Sequence, residues 1–286
     1  MRCVVFEALY GSIAILPTTR ELKRCINGNT SIESFKYDTP QSLRTPKHLN
    51  SNDLTKKILR RTDMIDLAGA GVPSLLLRPD LDVPVPAVLL LHGYSSSKEA
   101  LSNSMGVALA TRGIASLSFD LPLHGRRDEE MFEEARTNPF GLVQHWKSAL
   151  VEAKDAIEWL ASHEAIDPLR ISIAGYSLGS YIALQTAAVE KRIRSIVVAA
   201  GGDLPATPWT SMVRMVTDPL SSVKLLKGRP LLMLHGLNDR TIRREQAQAL
   251  YNAAAEPKTI KWYESGHVLL PAAAEDAATW LVEQFR

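Results

Sequence analysis

A chain of 286 residues, 45% hydrophobic and 22% charged, can bury a sizeable core as one large domain or two small ones. A net charge of +2 gives no reason to expect nucleic acid or an anionic membrane surface as a partner. The two cysteines, Cys3 and Cys25, have no metal-ligand spacing, so zinc is not expected; free thiols and a single disulfide both stay open.

Charge is uneven along the chain. Residues 1–60 carry 10 Lys/Arg against 5 Asp/Glu, and the remainder 23 against 26. The opening "MRCVVFEALYGSIAIL" has the rough outline of a signal peptide, but Glu7 interrupts its apolar run and no small-x-small cleavage site follows. A cytoplasmic location is the default expectation, with secretion open. No window reaches 18 uninterrupted apolar residues, so no membrane span is expected. Residues 17–58 are polar and aperiodic, which makes 1–59 an N-terminal arm, irregular or packed on the surface, and 60–286 the folded domain.

From Arg60 onward the elements follow in order. "RRTDMIDL" and "PSLLLRP" flank "AGAGV" and predict an antiparallel hairpin with a glycine-rich turn. "AVLLLHG" (87–93) is a short continuous apolar run, the mark of a strand buried on both faces. A helix over 98–113, a strand over 114–120 and a long amphipathic helix over 140–163 come next. "RISIAGY" is a strand, "SLGSYIALQTAAVE" a helix and "IRSIVVAAGG" a strand. Strands at "RPLLMLHG" and "KTIKWYES" then alternate with helices at "TIRREQAQALYNAAA" and "EDAATWLVEQF". Strands separated by helices at this spacing imply an α/β fold with a mostly parallel sheet flanked by helices. Residues 125–140 and 203–229 fit neither element. They follow strands, as short lids over a ligand crevice would.

Gly175-x-Ser177-x-Gly179 is a modest pattern alone, and taken by itself a small residue capping a helix at a βα turn is the better reading of Ser177. Its context is stronger, because it follows a predicted strand and opens a predicted helix, as a nucleophile elbow does. A serine hydroxyl is a poor nucleophile at neutral pH without a base. "IKWYESGH" supplies His267 after a strand, at the expected start of the last helix, and "LLMLHGLNDR" supplies Asp239 in the loop after another strand. Asp203 is a rival acid after the strand "IRSIVVAA". The backbone N–H groups of Tyr94, after "LLLHG", and of Leu178 are placed to bind an oxyanion. His92, His124 and Asp120 read as groups that tie strand-end loops together. Tyr94, Trp209, Met212 and Met215 are candidates to line a substrate pocket, although the last three fit equally well as the buried face of a lid.

The motifs "HGYSSS", "DLPLHGRR", "GYSLGS", "HGLNDR" and "SGH", in that order, resemble those of serine α/β-hydrolases, closest to dienelactone-hydrolase-like and S9-peptidase-like esterases. The resemblance covers residues 60–286. It implies an α/β-hydrolase fold with short lid insertions, a Ser177–Asp239–His267 triad and no metal or organic cofactor. Dienelactone hydrolases carry cysteine at the elbow, so Ser177 departs from them toward ordinary ester hydrolysis. The expected substrate is a small carboxylic ester with a short acyl group. A thioesterase, a deacetylase, a small-substrate peptidase or an inactive binding module of the same fold stands as an alternative. A homo-oligomer is neither required nor excluded.

Overall fold

Strand formation begins at Ile58, two residues ahead of expectation. The structure is a computed structural model and describes residues 58–127, 139–206, 210, 213, 214 and 216–286. Strands β1 (Ile58–Leu67) and β2 (Ala70–Pro79) form the hairpin. Its two turn residues, Ala68 and Gly69, both have positive φ, 58° and 76°. That pair matches the twist of the flanking strands.

The remaining strands are β3 (Val85–Leu91), β4 (Ala115–Phe119), β5 (Ile166–Tyr176), β6 (Ile193–Ala199), β7 (Leu231–Gly236) and β8 (Lys258–Tyr263). They form one eight-stranded sheet in the order β1-β2-β4-β3-β5-β6-β7-β8. Only the β1–β2 and β2–β4 pairs are antiparallel. The apolar run of β3 is buried at every position because helices cover both faces of the sheet. Leu89 and Leu91 pack on one side, with α3 (Pro139–Ser162), α4 (Leu178–Val189), α5 (Pro219–Lys224) and α6 (Arg244–Ala253). Val88 and Leu90 pack on the other, with α1 (Lys98–Leu101), α2 (Val107–Ala110) and α7 (Pro271–Gln284). This strict alternation follows from the two-residue period of a strand.

The helix expected over 98–113 is not continuous: a π-helical turn over Ser102–Gly106 joins α1 to α2. Ser102 Oγ reaches Ser118 Oγ on β4 at 2.6 Å. A Cβ on Gly106 would stand 2.9 Å from Ser116 Oγ, so its glycine lets this turn sit hard against the sheet.

The chain leaves β3 toward β4 and leaves β5 toward β6, on opposite sides of that adjacent pair. The loops after β3 and β5 therefore diverge at the strands' carboxyl ends, the place where open α/β sheets hold their ligands. Among the described residues no helix is long and apolar enough to cross a membrane.

Candidate active site

Ser177 stands between the last residue of β5 and the first residue of α4, with φ 49° and ψ −112°. For a residue with a Cβ this conformation costs on the order of 1–3 kcal/mol and persists only where the surroundings enforce it. Here they do. The Ser177 N–H donates to Ala199 O at 2.9 Å, and Ser180 grips Ser177 O through its N–H at 2.9 Å and its hydroxyl at 2.6 Å. The flanking glycines are sterically required. A Cβ on Gly175 would stand 2.2 Å from Gly179 O, and one on Gly179 would stand 2.1 Å from Leu91 O. Strand β5, helix α4 and the end of β3 thus converge around one tight bend in the backbone, where Ser177 is only 4% exposed.

His267 and Asp239 reach this bend from the neighbouring strand ends. His267 lies between β8 and α7, four residues ahead of Pro271. It therefore sits in a loop and not at the helix start that the sequence suggested. Asp239 follows β7. Its Oδ1 accepts the N–H groups of Thr241 at 2.8 Å and Ile242 at 3.0 Å, which fixes the carboxylate. Its Oδ2 lies 2.8 Å from His267 Nδ1, and His267 Nε2 lies 2.9 Å from Ser177 Oγ. A carboxylate only accepts, so the imidazole proton is on Nδ1 and Nε2 accepts the serine proton. Burial opposes the charged form of Asp239, but the His267 hydrogen bond and charge, with the two N–H donors, outweigh it and hold the carboxyl below its usual range. The acid is thus a buried anion throughout the neutral range.

The rival acid is committed elsewhere. Asp203 makes a bidentate pair with Arg214, at 2.8 and 2.9 Å, and Arg214 also holds Leu204 O and Asp218. Asp203 therefore anchors the second insertion instead of orienting a histidine.

His235, on β7, went unnoticed in the sequence. It is fully buried under Asp239, with Nε2 donating to Ile242 O at 2.8 Å and lying 3.7 Å from Asp239 Oδ2. Burial pushes its pKa down, so it supports the Asp239 loop as a neutral group. The only sequence signal was a histidine inside an apolar strand, "LLMLHG".

The turn after β3 is held by His92. Its Nδ1–H donates to Gly93 O at 2.8 Å, and its Nε2 accepts the Leu121 N–H at 3.1 Å. Burial brings its pKa down to about 4, against the Gly93 bond, which favours the charged form. Gly93 O and the Tyr94 N–H belong to one trans peptide and point opposite ways, so the grip on the carbonyl aims the N–H. Gly93 packs against the elbow, since a Cβ on it would stand 3.4 Å from Ser177 Cβ. Leu178, at the first helical position, has an N–H with no acceptor inside α4, directly beside the serine. His124 stacks edge-on to both His92 and Tyr94, with ring centroids 5.4 Å apart in each case.

Asp120 carries more than the loop-tying role expected of it. Lys98, although buried, brings its Nζ to within 2.8 Å of Asp120 Oδ2, and the carboxylate also accepts the N–H groups of Lys98 and Arg126. Beside it, Arg127 pairs with the buried Glu152 at 2.7 and 2.9 Å. These contacts fix the root of the first insertion.

Trp209, Met212 and Met215 lie outside the described residues, as do 128–138. Among the described residues no three His, Cys, Asp or Glu side chains converge as metal ligands.

A model of the alpha/beta hydrolase family matches residues 88–282. Over 246 residues the chain is 26% identical to an esterase of Escherichia coli, covering 74% of this chain and 94% of that protein. It is 32% identical over 115 residues to a polyketide transferase of Stachybotrys chlorohalonatus, covering 40% of this chain and 36% of that one. The chain spans 36% to 59% of the length of the first three curated relatives that it matches. Among solved structures, a Klebsiella pneumoniae protein described as a dienelactone hydrolase superposes with a TM-score of 0.63 at 19% identity, over 80% of this chain and 98% of that one.

Proposed function

The chain belongs to the alpha/beta hydrolase family, and we propose that it hydrolyses small carboxylic esters through an acyl-enzyme on Ser177. The observation that carries this reading is the unbroken hydrogen-bond chain from Ser177 through His267 to Asp239. His267 takes the serine proton as Oγ attacks the acyl carbonyl, and Asp239 stabilises the imidazolium that forms. The N–H groups of Tyr94 and Leu178 receive the charge that develops on the carbonyl oxygen; losing one such donor costs about 3–4 kcal/mol of transition-state stabilisation. The imidazolium then protonates the leaving alcohol, and water activated by the same His267 releases the acid. Likeness to an esterase of Escherichia coli along nearly its whole length supports ester hydrolysis over the alternatives. The short segments at 125–140 and 203–229 favour a small substrate with a short acyl group.

The test pairs a fluorophosphonate probe with nitrophenyl esters of rising acyl length. The native protein is expected to label and to turn over short esters, and Ser177→Ala to do neither. Asp239→Asn is expected to lose about 10⁴-fold in kcat, as substitution of a triad acid does elsewhere. Asp203→Asn, which breaks only the Arg214 anchor, is expected to lose far less. No labelling and no turnover by the native protein overturns the proposal, and an optimum at long acyl chains overturns the substrate class.

A further inference from the structure

We propose that Tyr176, the residue immediately ahead of Ser177, is a positioning residue that clamps the His267 loop to the elbow. The inference rests on the reading of Ser177 and His267 as nucleophile and base. Tyr176 ends β5, so its place is set by the same turn that sets Ser177. Its hydroxyl donates to His267 O and accepts the Leu269 N–H at 3.1 Å, which uses both its donor and an acceptor site on one short segment. Its ring lies edge-on to the His267 imidazole, centroids 6.0 Å apart. The other side of the site is touched as well: a Cβ on Gly93 would stand 3.4 Å from Tyr176 Cδ1. One side chain therefore contacts the base loop and the turn that carries Tyr94, while its own backbone leads into the nucleophile.

The loop needs such a clamp. Its first half is tied to the neighbouring strand end: Asn238 N–H donates to Ser265 O at 3.0 Å, and Leu237 N–H to Tyr263 O at 2.8 Å. Gly236 also packs against Gly266 O. Its second half has little apolar burial to hold it, since Val268 is 80% and Leu270 46% exposed and only Leu269 packs inward. Between His267 and the start of α7, the Tyr176 hydroxyl supplies the hydrogen bonds that burial does not. Burial raises the phenol pKa, so the hydroxyl stays protonated and keeps its donor across the working range.

The substitution Tyr176→Phe removes the hydroxyl and keeps the ring. Amide exchange at Leu269, followed by NMR without substrate, is expected to quicken at least tenfold. The low-field signal of the His267 Nδ1 proton shared with Asp239 is expected to broaden. Against a short nitrophenyl ester, kcat is expected to fall about ten- to a hundredfold with KM within about twofold, the signature of a misplaced base and not of lost substrate binding. Unchanged Leu269 exchange overturns the clamp. Faster exchange with unchanged kcat overturns the positioning role. If the native protein hydrolyses no ester, the esterase proposal falls by itself, and the Leu269 exchange and the His267 proton still decide whether Tyr176 holds the loop.

Discussion

Acid should weaken this protein in part through the buried imidazole of His92. His92 is 1% exposed, and both ring nitrogens are used in the neutral state, Nδ1–H by Gly93 O and Nε2 by the Leu121 N–H. A second proton would have to sit on Nε2, facing a donor. Burial first, and the neighbouring His124 and Lys98 charges further down, bring the folded-state pKa to about 4. In the unfolded chain it returns to about 6.5. Between those values the unfolded state binds the proton and the folded state refuses it, so stability is complete above pH 6.5 and falls as the pH drops toward 4. The loss works out at about 2 kcal/mol at pH 5 and about 3 kcal/mol at pH 4. Urea unfolding of the native chain and of His92→Gln at pH 7, 6, 5 and 4 measures it. The variant is expected to be the weaker at pH 7, with the gap closing by about 2 kcal/mol at pH 5 because glutamine does not titrate. Contributions from His235 and Asp239 are common to both proteins and cancel. Parallel stability curves would refute the buried neutral imidazole and with it the grip on the Gly93 peptide.

Two further substitutions probe how the site is supported. Lys98→Met leaves the Asp120 carboxylate buried with backbone donors only, so urea unfolding is expected to show a loss of about 3–5 kcal/mol; a loss below about 1 kcal/mol would mean that the pair is dispensable. Gly179→Ala forces a methyl group to within 2.1 Å of Leu91 O and 2.6 Å of His92 O, so about 1–3 kcal/mol of stability and most esterase activity should be lost. Gly266→Ala, whose Cβ would meet nothing closer than Asn238 O at 3.8 Å, is the matched control and should unfold at nearly the native urea concentration.

Much of the architecture was readable before any coordinates, and for identifiable reasons. Continuous apolar runs such as "AVLLLHG" have one comfortable home, a strand covered on both faces, and their alternation with amphipathic helices fixes a parallel sheet. Glycines two residues either side of Ser177 announced a tight strand-to-helix bend, because a Cβ at either place would overlap backbone. Other features leave no periodic trace. The π-helical turn at Ser102–Gly106 depends on Ser118 and Ser116 from a different strand, which no local pattern reports. Nothing in the local pattern around Lys98 reports its burial, which comes from its pairing with Asp120 at the end of a different element.

Chain order alone determined that a serine, an acid and a histidine would each follow a parallel strand, since the βα repeat puts every such end on one edge of the sheet. Which acid meets the histidine depends on tertiary structure. Asp203 and Asp239 both follow strands, but Arg214 takes the first and His267 the second. The aim of the Tyr94 N–H through His92, and the hold of Tyr176 on the His267 loop, likewise depend on hydrogen bonds spanning up to 93 residues of sequence. Local propensity sets where each element begins and ends; only packing decides which side chains meet across the loops between them.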